Sequence, residues 1–225
     1  MSPVVNPAPP PMPAYDPPDG PLRVVHRDDA LIVVDKPAGL LTVPGRDPVL
    51  ADCLEARVKA AFPEALLVHR LDMDTSGLVV FAASPAAQRH LGLQFERRRI
   101  RKTYHALVDG IVAADTGRID LPLIADWPNR PLQKVCHETG RAAVTDWRVI
   151  GRGREKTLLE LRPVTGRSHQ LRVHCRETGH PIVGDRFYGG SVAERLMLIA
   201  HRLELRHPEG GRLIEFVSLS RLSLN

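Results

Sequence analysis

The chain has 225 residues, of which 43% are hydrophobic and 25% charged, a composition typical of a protein with one folded core. No apolar run is long enough to span a membrane, and no secretory signal is visible, so a cytoplasmic protein is expected. A net charge of +5 favours an anionic partner, of which nucleic acid is the most common.

The first 21 residues are rich in proline. They contain nine prolines, which neither pair as strands nor continue a helix, and therefore predict an extended or disordered tail over 1–21. A docking tail is the functional alternative. The folded domain is predicted to cover 22–225.

The three cysteines are far apart and odd in number. Cys53, Cys136 and Cys175 are therefore expected to be reduced thiols rather than a disulfide framework. The sequence contains no Cys-x-x-Cys motif, so a structural zinc site is not expected.

The first half of the chain mixes strand and helix patterns. Its apolar spacing predicts strands at 22–26, 30–35, 78–83 and 101–108, and helices at 49–62 and 85–97. Asp47 precedes Pro48 and is the expected N-cap of the first helix.

The second half of the chain has more strands than helices. The pattern predicts strands at 118–124, 142–150, 156–164, 197–205 and 213–217, a long polar hairpin or loop at 125–141, and a helix at 169–178. Ser168 is the expected cap of this helix. Because the chain lacks a regular β-α-β alternation, we predict an α+β fold with a mixed, mainly antiparallel sheet flanked by helices and loops.

The most informative motif is the run from His69 to Leu78, His-Arg-Leu-Asp-Met-Asp-Thr-Ser-Gly-Leu. It places Asp72 in a short loop two residues after Arg70, followed by a Thr-Ser-Gly turn and an apolar strand. An isolated aspartate is more often a turn or cap residue. Here, however, the small side chains favour a tight turn that holds one nucleophilic or basic carboxylate at a strand end.

A second polar cluster has the sequence Gly-Arg-Ser-His-Gln-Leu-Arg-Val-His and ends at His174. A solvated helix face does not account for both Gln170 and Arg172. A cation on this helix that faces Asp72 would keep that carboxylate ionised, because a nearby opposite charge lowers the pKa of an aspartate. His169 and His174 are five residues apart, whereas a helical metal pair prefers four, so no metal site is expected.

A third feature combines an aromatic residue with a cationic run. Tyr104 and Lys102 share one face of a predicted strand, because side chains alternate along a strand. Five of the six residues at 97–102 are positively charged, Arg98 and Arg99 among them. A strand tyrosine usually serves packing and a charged run is usually a solvated face. Together, however, they are typical of sites that hold unstacked bases and phosphates.

These motifs together resemble the RluA-type pseudouridine synthases, whose catalytic aspartate lies in His-Arg-Leu-Asp-x-x-Thr-Ser-Gly. The resemblance covers about 22–216 and includes matching blocks, in the same order, at 33–40, 101–110, 166–174 and 179–185. It implies the catalytic fold of that family, with a central active-site cleft and no N-terminal S4-like domain.

The resemblance assigns roles to five residues. Asp72 matches the catalytic aspartate, Tyr104 the tyrosine that lies against the target uracil, and Arg172 the arginine paired with the aspartate. Arg70 matches the arginine that precedes the aspartate and faces the RNA. Leu198 matches a hydrophobic residue contributed by a late strand.

The implied activity is the isomerisation of uridine to pseudouridine in RNA, which needs no cofactor because no group is lost and no electron is transferred. The segment 120–140 resembles family members of dual specificity, which act on a 23S rRNA stem-loop and on the anticodon stem-loop of tRNA. A monomer without an obligate protein partner is expected. The expected RNA contacts outside the catalytic group are Arg98, Arg99, Lys102, Asn129, Arg130 and Lys134.

Two other functions fit part of the pattern. A non-catalytic RNA-binding module would share the basic run and Tyr104, but would need neither Asp72 nor Arg172. An aspartate-dependent N-glycosidase would break the same bond and release free uracil.

Overall fold

The computed structural model describes residues 14–224 of the chain. Its α-helices are α1 (Leu54–Ala61), α2 (Pro85–Glu96) and α3 (Gln170–Glu177), with short 3₁₀ turns at Pro48–Leu50 and Trp127–Asn129. Its strands are β1 (Val24–Arg27), β2 (Leu31–Lys36), β3 (Leu66–Leu67), β4 (Ser76–Ala82), β5 (Arg101–Asp109), β6 (Thr116–Asp120), β7 (Leu123–Ala125), β8 (Gln133–Val135), β9 (Val144–Arg152), β10 (Lys156–Pro163), β11 (Leu198–Arg206) and β12 (Leu213–Val217).

One large sheet dominates the described part of the chain. Its strand order is β1-β2-β4-β11-β5-β10-β9-β6, with β12 beside β11 and β3 beside β4. Strands β4 and β11 pair in parallel, whereas the other neighbours pair antiparallel. Strands β7 and β8 form a separate hairpin. The predicted α+β class with a mixed, mainly antiparallel sheet is confirmed.

The core lies on both faces of β2 and β4. Every residue of these two strands is buried, as expected for central strands that are apolar on both faces. One face packs against α2 through Leu91, and the other against α1 through Leu54 and Val58. Helix α3 packs against β5 and β10 through Leu171 and Cys175.

The parallel pairing of β4 with β11 determines which edge of the sheet the loops before these two strands share. Ile199 and Ala200 of β11 pair with Ser76 and Gly77 of β4, so the N-terminal ends of both strands lie at the same edge of the sheet. Gly77 has a φ of +111°, and a Cβ there would collide with the backbone of Ala200. The Ser-Gly pair expected in a turn therefore opens β4, where glycine permits this close approach.

Two predicted helix starts are wrong. The Asp47 carboxylate caps the 3₁₀ turn instead, accepting the N–H of Val49 at 3.1 Å. Helix α1 begins only after Cys53, whose buried side chain and extended backbone interrupt the helical run. Helix α3 begins after His169, not after Ser168.

The strand predicted at 118–124 is divided between two sheets. Strand β6 ends at Asp120 and pairs with β9, whereas β7 starts at Leu123 and pairs with β8. Pro122 lies between them and has no N–H to donate to a ladder, which explains the break. The polar segment after it forms the β7–β8 hairpin, as predicted.

The described part of the N-terminal segment lies against the domain. The Tyr15 hydroxyl donates to the Asp52 carbonyl oxygen at 2.7 Å, and the Arg57 guanidinium donates to the Pro18 carbonyl oxygen at 2.9 Å. Contacts with the domain therefore begin upstream of the predicted boundary at 22. The rest of the predicted tail, 1–13, lies outside the described residues.

The structure also bears on the cysteines and on membrane insertion. Cys53, Cys136 and Cys175 are free thiols, as predicted. Within residues 14–224, none of the helices has both the length and the apolar character needed to cross a membrane.

Candidate active site

The loop that carries Asp72 is anchored by alternate residues. The His69 ring accepts the N–H of Val80 in β4 through Nε2 at 3.1 Å. The Thr42 hydroxyl donates to the Leu71 carbonyl oxygen at 2.7 Å and accepts the Leu71 N–H at 3.2 Å. The backbone that leads into Asp72 is therefore held by two buried partners, Val80 and Thr42.

A buried lysine completes this support. The Lys36 ammonium is 1% exposed and donates to the carbonyl oxygens of Met73 at 2.8 Å and Leu40 at 2.7 Å. Burial lowers the pKa of Lys36 to about 7, against the opposing effect of the negative charges of Asp74 and Asp72. The lysine thus links the end of β2 to the aspartate loop.

Asp72 opens into a cavity of about 320 Å³. Strand pairing assembles its walls, because Tyr104 of β5 lies opposite Ala200 of β11, near the parallel contact with β4. The α3 N-terminus closes another side. The proposed site residues that line the cavity are Asp72, Tyr104, Arg172, Arg70, Leu198 and Lys102.

The cavity contains both a protonated phenol and a partly buried cation. Burial, reinforced by the negative charge of Asp72, raises the pKa of Tyr104, so its hydroxyl keeps its proton. Burial lowers the pKa of Lys102. Tyr104 can therefore act as a stacking surface and a neutral hydrogen-bonding group.

Arg172 is paired differently from the expectation. Its guanidinium donates to both oxygens of Asp185, at 2.8 and 2.7 Å, and the two side chains are 2% and 0% exposed. Its contact with the aspartate loop is to Asp74 at 4.0 Å, and an ion pair with Asp72 is not formed within that distance in the described structure. The predicted direct pair between Arg172 and Asp72 is therefore wrong, because the planar fork is already matched by the Asp185 carboxylate.

Asp72 nevertheless lies within the electrostatic field of this pair. Burial lowers the pKa of Arg172, but the hydrogen bond and charge of Asp185 outweigh it, with smaller contributions from Asp72 and Asp74. The arginine is thus charged at every accessible pH. Asp185 was not among the predicted site residues, although its segment, 179–185, was one of the matching blocks.

The remaining polar residues at the start of α3 hold the backbone. The Gln170 side chain accepts from the Thr165 hydroxyl at 2.7 Å and donates to the Val144 carbonyl oxygen at 3.0 Å. The His174 ring contacts the Thr145 hydroxyl at 2.9 Å and the Leu121 carbonyl oxygen at 3.2 Å. No group of three or more metal-binding side chains occurs in residues 14–224.

A larger groove of about 750 Å³ adjoins the cavity and shares Lys102 and Arg167 with it. Arg98 lies in its lining, whereas Arg99 is exposed outside both linings. The groove is lined by six basic and four acidic side chains, and two of its arginines pair within this lining, Arg101 with Glu204 at 3.1 Å and Arg202 with Glu215 at 2.9 Å. Its basic residues are Arg98, Arg101, Lys102, Arg162, Arg167 and Arg202.

The predicted RNA contacts at 129–134 have internal partners in the structure. Asn129 and Lys134 both donate to the buried Asp126 carboxylate, at 2.8 and 3.1 Å. The Arg130 guanidinium lies over the ring of Trp127, 3.1 Å from its centroid, and Trp127 is 65% exposed. Trp127 lies in the segment 120–140 but was not among the predicted RNA contacts, although a tryptophan within a polar segment is a visible signal.

Residues 30–177 match the family model described as RNA pseudouridylate synthase. The chain belongs to the RNA pseudouridylate synthase family. The predicted enzyme class, an RNA pseudouridine synthase and hence an isomerase, is confirmed.

Individual members of the RNA pseudouridylate synthase family are similar over nearly the whole chain. The dual-specificity RNA pseudouridine synthase RluA of Yersinia pestis is 52% identical over 86% of this chain and 96% of that protein. The RluA of Escherichia coli K12 is 48% identical over 90% of this chain and 95% of that protein. Human RNA pseudouridylate synthase domain containing 1 has a TM-score of 0.72 at 26% identity, covering 95% of this chain and 93% of that one.

Proposed function

We propose that this pseudouridine synthase isomerises uridines in stem-loops of 23S rRNA and of tRNA, with Asp72 as the essential carboxylate. The observation that carries the proposal is the position of Asp72, on an anchored loop inside a cavity it shares with Tyr104 and Arg172. At about 320 Å³, the cavity is at the lower end of the range for small-molecule sites. It suits one extracted nucleotide rather than a paired strand.

The reaction breaks the bond from C1′ to N1, rotates the uracil and rejoins it through C5. Taking the base out of the RNA stack costs a few kcal/mol. Arg70 is exposed at the mouth of the cavity and is placed to fill the vacated position. Tyr104 would lie against the freed uracil and hinder its escape.

The Asp72 carboxylate can act in three ways: by attack on C1′, by attack on the uracil ring, or by removal of the C2′ proton. All three need an ionised carboxylate in a site shielded from water. The charge of Arg172 is balanced by Asp185, so the ion pair orders the wall of the cavity and does not serve as a counter-ion for Asp72 alone. No cofactor has a role in this sequence of steps.

The proposed targets rest on similarity across the whole chain. Relatives named as dual-specificity enzymes are 48–52% identical to it. The groove cations would hold the RNA backbone. The exposed ring of Trp127, with Arg130 over it, would offer a separate surface for stacking on a base. We further propose that the enzyme acts as a monomer in the cytoplasm, where both RNAs occur.

The decisive experiment is tritium release from RNA labelled at uridine C5, using tRNA and 23S rRNA transcripts. Wild-type enzyme should release tritium from both transcripts without free uracil. Asp72→Asn keeps the shape of the side chain but removes its charge, and should retain less than about one per cent of the activity.

RNA binding serves as the control for this substitution. Asp72→Asn should bind both transcripts with the affinity of the wild type, because the groove is unchanged. Substantial turnover by Asp72→Asn would refute the essential role of Asp72. Release from one transcript alone would refute dual specificity, and free uracil in the product would indicate a glycosidase.

A further inference from the structure

His169 adopts a backbone conformation that is uncommon for a residue other than glycine. Its φ is +51°, in the left-handed region that only a few per cent of non-glycine residues occupy. It precedes α3 as the N-cap, yet its side chain makes no capping hydrogen bond to the helix. Such strain is concentrated at functional sites, and His169 lines the cavity that contains Asp72.

The hydrogen bonds of a neighbouring tyrosine determine which ring nitrogen of His169 carries the proton. The Tyr188 hydroxyl lies 2.8 Å from His169 Nδ1 and also accepts the N–H of Gln133 at 2.8 Å. Tyr188 is 2% exposed, and a buried hydroxyl proton without an acceptor costs about 1–3 kcal/mol. The hydroxyl therefore donates to Nδ1, which places the proton of the neutral imidazole on Nε2.

The surrounding charges are consistent with a neutral ring. Burial lowers the pKa of His169; Asp72, Asp185 and Asp74 oppose this effect, and Arg172 adds to it. Burial also raises the pKa of Tyr188, so its hydroxyl remains a donor. At neutral pH, the His169 ring thus carries one proton, on the nitrogen that is not bonded to Tyr188.

We propose that the Nε2–H of His169 donates a hydrogen bond to a carbonyl oxygen of the extracted uracil, and that Tyr188 is the positioning residue that holds this tautomer. The inference rests on the proposed role of the cavity as the uridine site. It adds a catalytic residue and a positioning residue to those that the sequence motifs indicate.

The chemistry of the freed base explains the need for a neutral donor. When the bond from C1′ to N1 breaks, the electron pair stays on the uracil and is shared with its carbonyl oxygens. The Nε2–H stabilises this charge and keeps its proton. Formation of the bond from C5 to C1′ then returns the electrons. The C5 proton leaves to solvent and N1 takes up a proton from solvent, so protons and electrons balance.

The Gln133 contact links this arrangement to the hairpin. Gln133 begins β8, 55 residues before Tyr188, and its N–H occupies one lone pair of the hydroxyl. That contact directs the hydroxyl proton towards His169. The hairpin therefore helps to set the tautomer at the active site.

The direct test is nitrogen NMR of the full chain labelled at its histidine rings, without RNA. The His169 signals are assigned by their loss in His169→Asn. We expect Nδ1 to show the shift of an unprotonated nitrogen and Nε2 that of a protonated one. Tyr188→Phe should shift both towards a mixture of tautomers. A protonated Nδ1 in the wild type would overturn the inference.

Kinetic measurements distinguish the loss of the His169 hydrogen-bond donor from a change in its backbone conformation. His169→Gly relieves the left-handed strain and removes the donor, and should lower kcat by about 100-fold, typical of losing one such donor. His169→Asn tolerates the same backbone, retains an amide N–H, and should recover part of the loss. Tyr188→Phe should lower kcat about tenfold with KM almost unchanged.

A double variant excludes a general structural effect. Tyr188→Phe should have no further effect on kcat in the His169→Gly background, because the tautomer no longer matters there. An equal tenfold loss in both backgrounds, or His169→Gly within twofold of wild type, would refute the proposal. The NMR result does not depend on Asp72, so failure of the proposed function and failure of this inference are distinguishable.

Discussion

Arg172 and Asp185 form a bidentate ion pair from which water is almost completely excluded. Such a pair adds little net stability compared with an apolar pair, but removing one partner leaves an uncompensated buried charge. Oδ1 of Asp185 also accepts the N–H groups of Phe187 and Tyr188, at 3.1 and 3.2 Å. The pair therefore orders the segment that contains Tyr188.

Arg172→Leu should lower the free energy of unfolding by about 3–5 kcal/mol, because the Asp185 carboxylate is left without its cation. Asp185→Leu should also be destabilising. The double variant Arg172→Leu/Asp185→Leu should be more stable than the sum of both losses predicts. Denaturant titration of the four proteins measures this coupling energy. Strictly additive losses would contradict the pairing.

A second residue-scale effect concerns pH. Burial, and secondarily the charge of Lys102, lowers the pKa of His69 to about 3, and its Nε2 accepts the N–H of Val80. The unfolded chain binds a proton on this ring below its ordinary pKa of about 6.5, whereas the folded chain does not. Stability from this group is therefore fully present above pH 6.5 and is lost as the pH falls towards 3.

His69→Gln retains an acceptor for the Val80 N–H but does not titrate. Between pH 6.5 and 4, the wild type should lose stability relative to His69→Gln, with a slope of at most about 1.4 kcal/mol per pH unit. Urea titrations at a series of pH values measure the difference in unfolding free energy between the two proteins. The contributions of the other histidines are common to both proteins and cancel in this difference. Parallel curves for the two proteins would show that His69 is not shielded as described.

At the scale of elements, Arg98, which lies just beyond the end of α2, has a strained backbone and also lines the basic groove. The N–H of Arg98 donates to the Phe95 carbonyl oxygen and that of Arg99 to the Gln94 carbonyl oxygen, the pattern that usually has glycine at the first of the two positions. Arg98 occupies it with a φ of +53° and lines the basic groove. An arginine in this conformation costs about 1–2 kcal/mol relative to an ordinary backbone.

Arg98→Gly should therefore raise the free energy of unfolding, by about 1 kcal/mol at most, while weakening RNA binding. Arg99→Gly removes the same charge at a position outside the left-handed region, and should lower stability by a similar amount. If Arg98 contacts one phosphate, Arg98→Gly should reduce the slope of log affinity against log salt concentration by about one. If Arg98→Gly is less stable than Arg99→Gly, the strain argument is wrong.

Local patterns predicted most elements because their signals are short in range. The Ser84-Pro85 start of α2 is confirmed, since the Ser84 hydroxyl accepts the N–H of Ala87 at 3.2 Å. Strand β12 has the predicted bounds. The start of α1 was missed because the burial of Cys53 is decided by packing, which apolar spacing does not reveal.

At the scale of the whole molecule, the active site depends on one parallel contact within an otherwise antiparallel sheet. The register of β11 against β4 and β5 brings Leu198, Tyr104 and the Asp72 loop to the same edge. The basic groove opens beside that edge, so a strand of RNA held there would place one nucleotide over the cavity. No motif in the sequence encodes this register directly.

The sequence by itself determined the family, the fold class, and the set of segments that line the cavity, because these follow from motifs and periodicities within short stretches. Only the tertiary structure decided which side chains pair: Arg172 with Asp185, Asn129 and Lys134 with Asp126. It also decided that the His169 ring is held by Tyr188. Ion pairs and hydrogen bonds depend on distances of about 3 Å between groups, and the competition among several nearby partners is settled only when the chain is folded.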